Sequence, residues 1–459
     1  MTPRQLPFVL FGATGDLARR MLLPALLSVR ERHPEYRLDI VGVAGSRYDD
    51  EQFRAYVVEV LTKDKRCSRQ DAKAFAATIR YLSGDYHDQA LFERLAAIVS
   101  PEERPIVYLA IPPNLFEVVV EHLAAAGFAE HARVMVEKPF GRNLADAQRL
   151  SGVLARYFLP EQVYRIDHFL GKEAVQNLLV FRFANSILEP LWNRNYVSRI
   201  ELSMLESFGV EGRGSFYDNV GVIRDVVQNH LLQLLTLLLM EPPLAMSGHD
   251  LTDQRTKVLQ AIRPIRPDDA VLAQYRGYRL EPGVAEDSTT PTYAAIRLEV
   301  NSWRWAGVPV FVRAGKGLRE TRTEAVVEFR RPPTLIFGSG ESEEHQPEPN
   351  AFVFHFKPDG RIELLMQTKV PGPRLISRPT TLTVASSDDS ARSDDAYAQL
   401  IDDVVRDDHT RFATQESVEA AWRIVEPILD APAETTYVVG TDGPREASRL
   451  LGDVKGWYR

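Results

Sequence analysis

The chain has 459 residues, 44% of them hydrophobic and 26% charged, which excludes intrinsic disorder and allows two hydrophobic cores. Its formal charge of −8 offers no footing for a nucleic acid or an anionic membrane, so an anionic small molecule would need a local basic cluster. The single cysteine, Cys67, excludes an internal disulfide framework and fits a reducing cytoplasm.

From the N-terminus, short apolar runs alternate with helical patterns, the signature of βαβ units on a parallel sheet. Strands are expected at 8–12, 38–44, 106–113 and 133–140, with amphipathic helices at 17–33 and 114–128. No secretory leader is expected, because "PFVLFG" (7–12) runs straight into a turn. That turn is "GATGDL" (12–17), between the first strand and its helix. Glycine at 12 and 15 permits a tight bend and close approach of a pyrophosphate, whose charge a helix N-terminus favours. The pattern is not G-x-G-x-x-G; its place at the first βα turn is what marks it as a nucleotide site.

Cofactor choice is read after the second strand, in "VGVAGSRYDDE" (41–51). Ser46 and Arg47 suit a 2′-phosphate, while Asp49 and Asp50 come late for a ribose grip; the competing reading makes Arg47 a solvated loop charge. "IPPN" (111–114) and "EKPFG" (137–141) place proline at the C-terminal ends of strands, the edge where ligands sit. Proline there, cis or in a sharp turn, would project Lys138 into the crevice rather than leave it a surface lysine.

"RIDHFLGKE" (165–173) crowds Asp167, His168 and Lys172 around Gly171 just after an expected strand, and a linking helix follows at 173–187. Alternation at 197–210 puts Ile200, Leu202 and Met204 on one face of a strand. A glycine-rich turn and a long apolar helix fill 212–240, where Arg224, Asp225, Asn229 and His230 interrupt the apolar surface. Buried ionisable groups need partners. Its run "LLQLLTLLLM" (231–240) is too short to span a bilayer and reads as a buried helix.

Asp225 and His230, five apart, would stand about 140° apart on an α-helix, so a carboxylate orienting His230 should come from another segment, with Asp167 the candidate. The resulting dyad would remove a proton, since no nucleophilic Ser or Cys motif accompanies it. Beside a nicotinamide fold, the matching chemistry is deprotonation of a hydroxyl as hydride leaves the same carbon. No recognised metal-site spacing is present. Sheet-like alternation at 302–333 delivers Lys316 in a glycine-flanked turn, either as a site residue or as a solvated hairpin tip. A polar loop is expected at 337–350 and amphipathic helices at 396–408 and 417–431.

Taken in order, "GATGDLARR", "EKPFG", "RIDHFLGKE", "GRGSFYDNVGVIRDVVQNHLLQ" and "WRWAGVPVFVRAGKGL" resemble the signatures of glucose-6-phosphate dehydrogenases, over essentially the whole chain. The resemblance implies an α/β architecture: an N-terminal Rossmann-like doubly wound parallel sheet in residues 1–175. A larger C-terminal β+α domain with a mainly antiparallel sheet then occupies 176–459 and makes a homodimer or higher homo-oligomer. The implied activity is cytoplasmic oxidation of glucose 6-phosphate at C1 to the lactone, in the oxidative pentose phosphate pathway. NADP would be the cofactor (NAD the alternative), with no metal, nucleic acid or membrane.

By the same resemblance His230 is the base and Asp167 its orienting acid. His168, Lys172 and Lys316 hold the substrate phosphate, Glu206 and Asp225 bind sugar hydroxyls, and Lys138 reaches both sugar and nicotinamide. The cofactor set is Gly12, Ala13, Thr14, Gly15, Asp16, Leu17, Ser46, Arg47, Asp85 and Lys138. Four positions depart from the family pattern: Phe169 stands where Tyr is usual, Gly45 where Arg is, Thr321 where a basic residue is, and Lys357 where Gln is. They leave room for a related dehydrogenase of an amino or unphosphorylated sugar, or for one using NAD. A noncatalytic cofactor-binding regulator is the remaining alternative.

Overall fold

The computed structural model describes residues 4–63, 67–334, 347–373, 375–384, 396–452 and 456–458. Most of the polar loop expected at 337–350 lies outside the described residues. The chain divides into two units: Met1–Lys172 with Pro243–Asp253 and Arg392–Glu419, and Glu173–Pro242 with Gln254–Ala391 and Ala420–Arg459. A single cut at 175/176 does not provide for the two later segments that return to the first unit.

The first unit is built on strands β1 (Arg4–Phe11), β2 (Tyr36–Ala44), β3 (Arg80–Ser83), β4 (Ile106–Leu109), β5 (Arg133–Glu137) and β6 (Val163–Ile166). They are all parallel, in the order β6-β5-β4-β1-β2-β3, and a short strand, Phe412–Ala413, adds antiparallel to β6. The apolar runs of β1 point alternately to two cores. Phe8 and Leu10 join Ile40, Tyr108 and Tyr164 on one face; Val9 and Phe11 join Val41, Val107 and Val134 on the other. A strand buried on both faces has to be apolar at every position, which is why these runs do not alternate with polar residues. The order reverses between β1 and β4, and such a reversal opens a crevice at the C-terminal edge. Strand β6 is the one expected just before Asp167, whereas β3, of only four residues, was not expected.

The second unit opens with the expected helix, Glu173–Ala184. Its strands are β7 (Val197–Leu205), β8 (Ala270–Tyr275), β9 (Tyr293–Leu298), β10 (Val310–Gly315), β11 (Arg322–Phe329), β12 (Ala351–Lys357), β13 (Ile362–Lys369) and β14 (Ser377–Val384). The sheet runs β14-β13-β12-β11-β7-β10-β9-β8 and ends on a short strand, Thr435–Tyr437. Only β7–β10 and β8 with that last strand pair in parallel among the described residues.

The apolar run after His230 is a wholly buried helix, Leu232–Leu239. The C-terminal carbonyls of a helix have no partner within it. Here Arg182 donates to the carbonyls of Leu237 (2.6 Å) and Met240 (2.9 Å), Trp192 to that of Leu238 (2.7 Å) and Trp305 to that of Leu239 (2.7 Å). These donors satisfy the helix end inside protein. No helix among the described residues is long and apolar enough to cross a membrane.

Candidate active site

In the first unit the 12–17 turn leaves β1 at the point of strand reversal. Gly12 has φ +74°, and a Cβ there would sit 2.1 Å from the carbonyl oxygen of Ala110 at the end of β4. Only glycine fits. Its N–H donates to the carbonyl of Val43 (2.9 Å) and to the Tyr86 hydroxyl (2.9 Å), and the N–H of Gly15 donates to the Gly12 carbonyl (2.9 Å). Gly15 and Asp16 are exposed at the start of the following helix, as an anion-binding helix N-terminus requires. Asp16 itself pairs with Arg19 (2.6 Å) and Arg20 (2.9 Å), which holds its carboxyl below the usual range. Ala13 is core, and Leu17 packs against it in part.

The hydroxyls of Thr14 and Ser46 lie 2.9 Å apart, joining the first turn to the end of β2. Next to them Arg47 is exposed and makes no ion pair among the described residues. Glycine at 45 leaves that corner open, with only the Gly84 carbonyl 4.0 Å from where a Cβ would be. A hydroxyl pair beside an uncommitted guanidinium at this corner fits a phosphorylated ribose; Asp49 instead caps the helix start by accepting from the Gln52 N–H at 2.8 Å. Asp85 is exposed beyond β3 and bonds His87 (3.1 Å), whose backbone N–H also lowers the carboxyl's pKa.

Lys138 follows β5 directly, and the Lys138–Pro139 peptide is cis. It lines a small cleft at the ends of β4 and β5, with Ile111, Phe116, Glu137 and Phe140. Lys138 is half-buried there, as the crevice reading expects of it.

The 165–173 stretch is β6 followed by a tight helical turn, His168–Gly171. Asp167 is 3% exposed and caps this turn by accepting from the Phe169 N–H at 3.0 Å. Phe169 is buried, and the Lys172 ammonium lies over its ring, 4.5 Å from the centroid. The Phe169 ring thus steers Lys172 by a cation–π contact. The His168 ring stacks on Tyr397, with centroids 5.9 Å apart and planes 6° from parallel.

In the second unit Ile223–Leu231 is a π-helix, not the α-helix the spacing implied. Its backbone repeat runs i to i+5, so Asp225 and His230 come onto one side instead of standing 140° apart. Asn229 holds the widened turn: its amide donates to the Arg224 carbonyl (3.0 Å) and its oxygen accepts from the His230 N–H (2.6 Å). Arg224 reaches away to Asp430 (2.7 Å) and the Leu429 carbonyl (3.3 Å). Arg224 and Asn229 thus each have partners of their own in this otherwise apolar segment.

Lys316 is 3% exposed, not a solvated hairpin tip. Its ammonium bonds the Glu206 carboxylate and stands 3.9 Å from that of Asp225, over the rings of Tyr217 (5.1 Å) and Phe208 (5.5 Å). Tyr437 donates to its carbonyl at 2.6 Å. One ammonium beside two carboxylates gathers acceptor oxygens in one place, the kind of group that holds sugar hydroxyls. Of the departures, Thr321 bonds the hydroxyl (2.9 Å) and N–H (3.0 Å) of Ser207 beside Glu206, and Lys357 is exposed at the end of β12.

Sequence reasoning missed Tyr86, Tyr217, Tyr397 and Glu137, whose roles depend on contacts remote in sequence. Glu137 could have been noticed as an acid closing an apolar strand directly before Lys138.

Comparison with known proteins gives one consistent family. The profile "Glucose-6-phosphate dehydrogenase, NAD binding domain" matches residues 9–177, and "Glucose-6-phosphate dehydrogenase, C-terminal domain" matches residues 179–458. Glucose-6-phosphate 1-dehydrogenase 1 of Mycobacterium tuberculosis is 42% identical over 465 residues, covering 98% of this chain and 95% of that protein. The cytoplasmic glucose-6-phosphate 1-dehydrogenase 5 of Arabidopsis thaliana is 35% identical over 97% of this chain and 90% of its own. The crystal structure of the Mycobacterium avium glucose-6-phosphate 1-dehydrogenase superposes with a TM-score of 0.89 at 39% identity over 99% of both chains. A glucose-6-phosphate dehydrogenase in complex with its substrate, glucose 6-phosphate, superposes with a TM-score of 0.90 at 33% identity, over 100% of this chain and 99% of that one. The chain belongs to the glucose-6-phosphate dehydrogenase family, with that family's nicotinamide-dinucleotide-binding domain at its N-terminus and its C-terminal domain following.

Proposed function

We propose that the chain is a glucose-6-phosphate 1-dehydrogenase that oxidises C1 of its substrate to the lactone with NADP. The observation that carries the reading is local to the second unit: His230 and Asp225 lie one π turn apart, and Asp225 faces the ion pair of buried Lys316 with half-buried Glu206. Glu206 and Asp225 accept from the sugar hydroxyls. His230 takes the proton of the C1 hydroxyl; the C1–H bond breaks as C1=O forms. The bound nicotinamide supplies the hydride acceptor. Asp167 orients the imidazole and stabilises it once protonated, while His168 and Lys172 grip the phosphate. Thr14, Ser46 and Arg47 favour NADP over NAD, and Lys138 serves sugar and nicotinamide from the crevice.

The likeness to a cytoplasmic relative supports a cytoplasmic place. A second copy seated on the outer strands, where Met366, Leu382 and Val384 stand exposed, would cover apolar surface that a monomer leaves open. The reading is tested by initial rates with glucose 6-phosphate, its 2-amino analogue and free glucose, each with NADP and with NAD. The highest kcat/KM is expected for glucose 6-phosphate with NADP. No turnover of any hexose phosphate with either nicotinamide would reject the reading, as would a preference for the amino analogue or the free sugar.

A further inference from the structure

The acid before Lys138 has no part in the chemistry above, yet it is placed with care. Glu137 ends β5, and its side chain points to the face where Tyr108 and Tyr397 are packed in the core. The Tyr108 hydroxyl donates to its Oε1 at 2.5 Å, and the Tyr397 hydroxyl turns to the same carboxyl. Tyr397 belongs to the helix Ala396–Val405, a late segment that returns to the first unit. The same helix presses on the 168–171 turn: a Cβ on Gly171 would sit 2.8 Å from the Ala396 carbonyl oxygen and 3.3 Å from Leu400 Cγ. Tyr397 also provides the ring on which His168 stacks.

Two consecutive contacts therefore link Glu137 to His168, from carboxyl to phenol and from phenol to imidazole. The covalent link at Cγ and a hydrogen bond at the far hydroxyl hold the phenol at both ends, which gives His168 a fixed face to stack on. Burial pushes the Glu137 carboxyl up to about 7, with the two phenols and Lys138 pulling it down and Asp167 pushing it up. Such a carboxyl is costly to keep inside unless its position is needed, and two phenols spent on one acid is more than solvation requires.

We propose that Glu137 is a positioning residue for the phosphate grip, holding Tyr397 so that His168 presents its imidazole to the substrate phosphate in a single orientation. This rests on the reading of His168 as a phosphate-binding residue. It assigns Glu137 no contact with substrate or cofactor.

The test compares the wild-type enzyme with Glu137→Gln, Tyr397→Phe and the double variant, reading KM for glucose 6-phosphate, kcat, kcat/KM for free glucose, and competitive inhibition by inorganic phosphate. Each single variant is expected to raise KM and the phosphate inhibition constant by about three- to tenfold, with kcat within about threefold and kcat/KM for free glucose unchanged; these are the scale of one hydrogen bond. The double variant should be no worse than the poorer single, because both break one chain of contacts. A merely structural role would lower kcat/KM for free glucose as much as for the phosphate ester. Multiplying effects in the double variant, or equal losses on both sugars, would overturn the proposal. Phosphate that fails to compete in the wild type would remove the reading of His168 and this proposal with it. Phosphate that competes in the wild type but is untouched by either single variant would remove this proposal alone. Should Glu137→Gln fail to fold, Tyr397→Phe gives the same readouts.

Discussion

At the scale of single residues, cofactor preference falls on one corner of the first unit. Arg47 is exposed and without an ion pair among the described residues, beside the Thr14–Ser46 hydroxyl pair. A charge-assisted hydrogen bond from it to a 2′-phosphate would contribute about 1.5–3 kcal/mol, so Arg47→Ala should cut the ratio of kcat/KM for NADP over NAD by roughly ten- to hundredfold. Unchanged ratios in steady-state kinetics would mean that Arg47 is only a solvated loop charge. Much of the site was legible at this scale. Gly12, Lys138, Asp167 and His230 could be singled out because glycine, cis-compatible proline and buried ionisable side chains are locally unusual. Glu137 and Tyr397 were not legible, because an acid at a strand end and a tyrosine in an amphipathic helix are ordinary until the fold brings them together across 260 positions.

At the scale of elements, the π-helix is where local reasoning failed. Apolar periodicity over 222–240 fits either helix type, and nothing in it reveals that the backbone repeat widens to i+5 around His230. The Asn229 side chain, bonded on both sides to the turn it widens, is the signal in retrospect. Packing of the helix Ala396–Val405 on the 168–171 turn makes a second prediction. Gly171→Ala must push a Cβ against the Ala396 carbonyl, and such overpacking costs about 1–3 kcal/mol. Gly152, in the helix Leu144–Tyr157, has nothing within 4 Å of its Cβ position, so Gly152→Ala should be neutral or gain about 0.4–1 kcal/mol. Denaturant melts of the two variants check the contrast; equal stability would show that the helix is not seated on the turn.

For the whole molecule, the alternation of strand and helix patterns was enough for a parallel sheet in the first unit, since its strands are buried on both faces and read as unbroken apolar runs. The second sheet was visible only in part. Strands β12 to β14 mix polar and apolar positions, with β14 mostly exposed, and leave a weak trace in composition. The return of 392–419 to the first unit could not be read at all, because an amphipathic helix does not declare which core takes its apolar face. A chain of net charge −8 has to gather its cations locally to hold two anionic ligands, and the proposed function assigns that task in the first unit to Arg47, Lys138 and Lys172, with His168 beside them. The central claim of the proposed function is that His230 removes the proton of the C1 hydroxyl as hydride leaves C1. It is tested most directly by the kcat of His230→Asn at saturating glucose 6-phosphate and NADP. A lost general base predicts a fall of about 10²–10⁴-fold with the dissociation constant for glucose 6-phosphate within a few-fold of wild type; a folded variant that keeps kcat within threefold would contradict it.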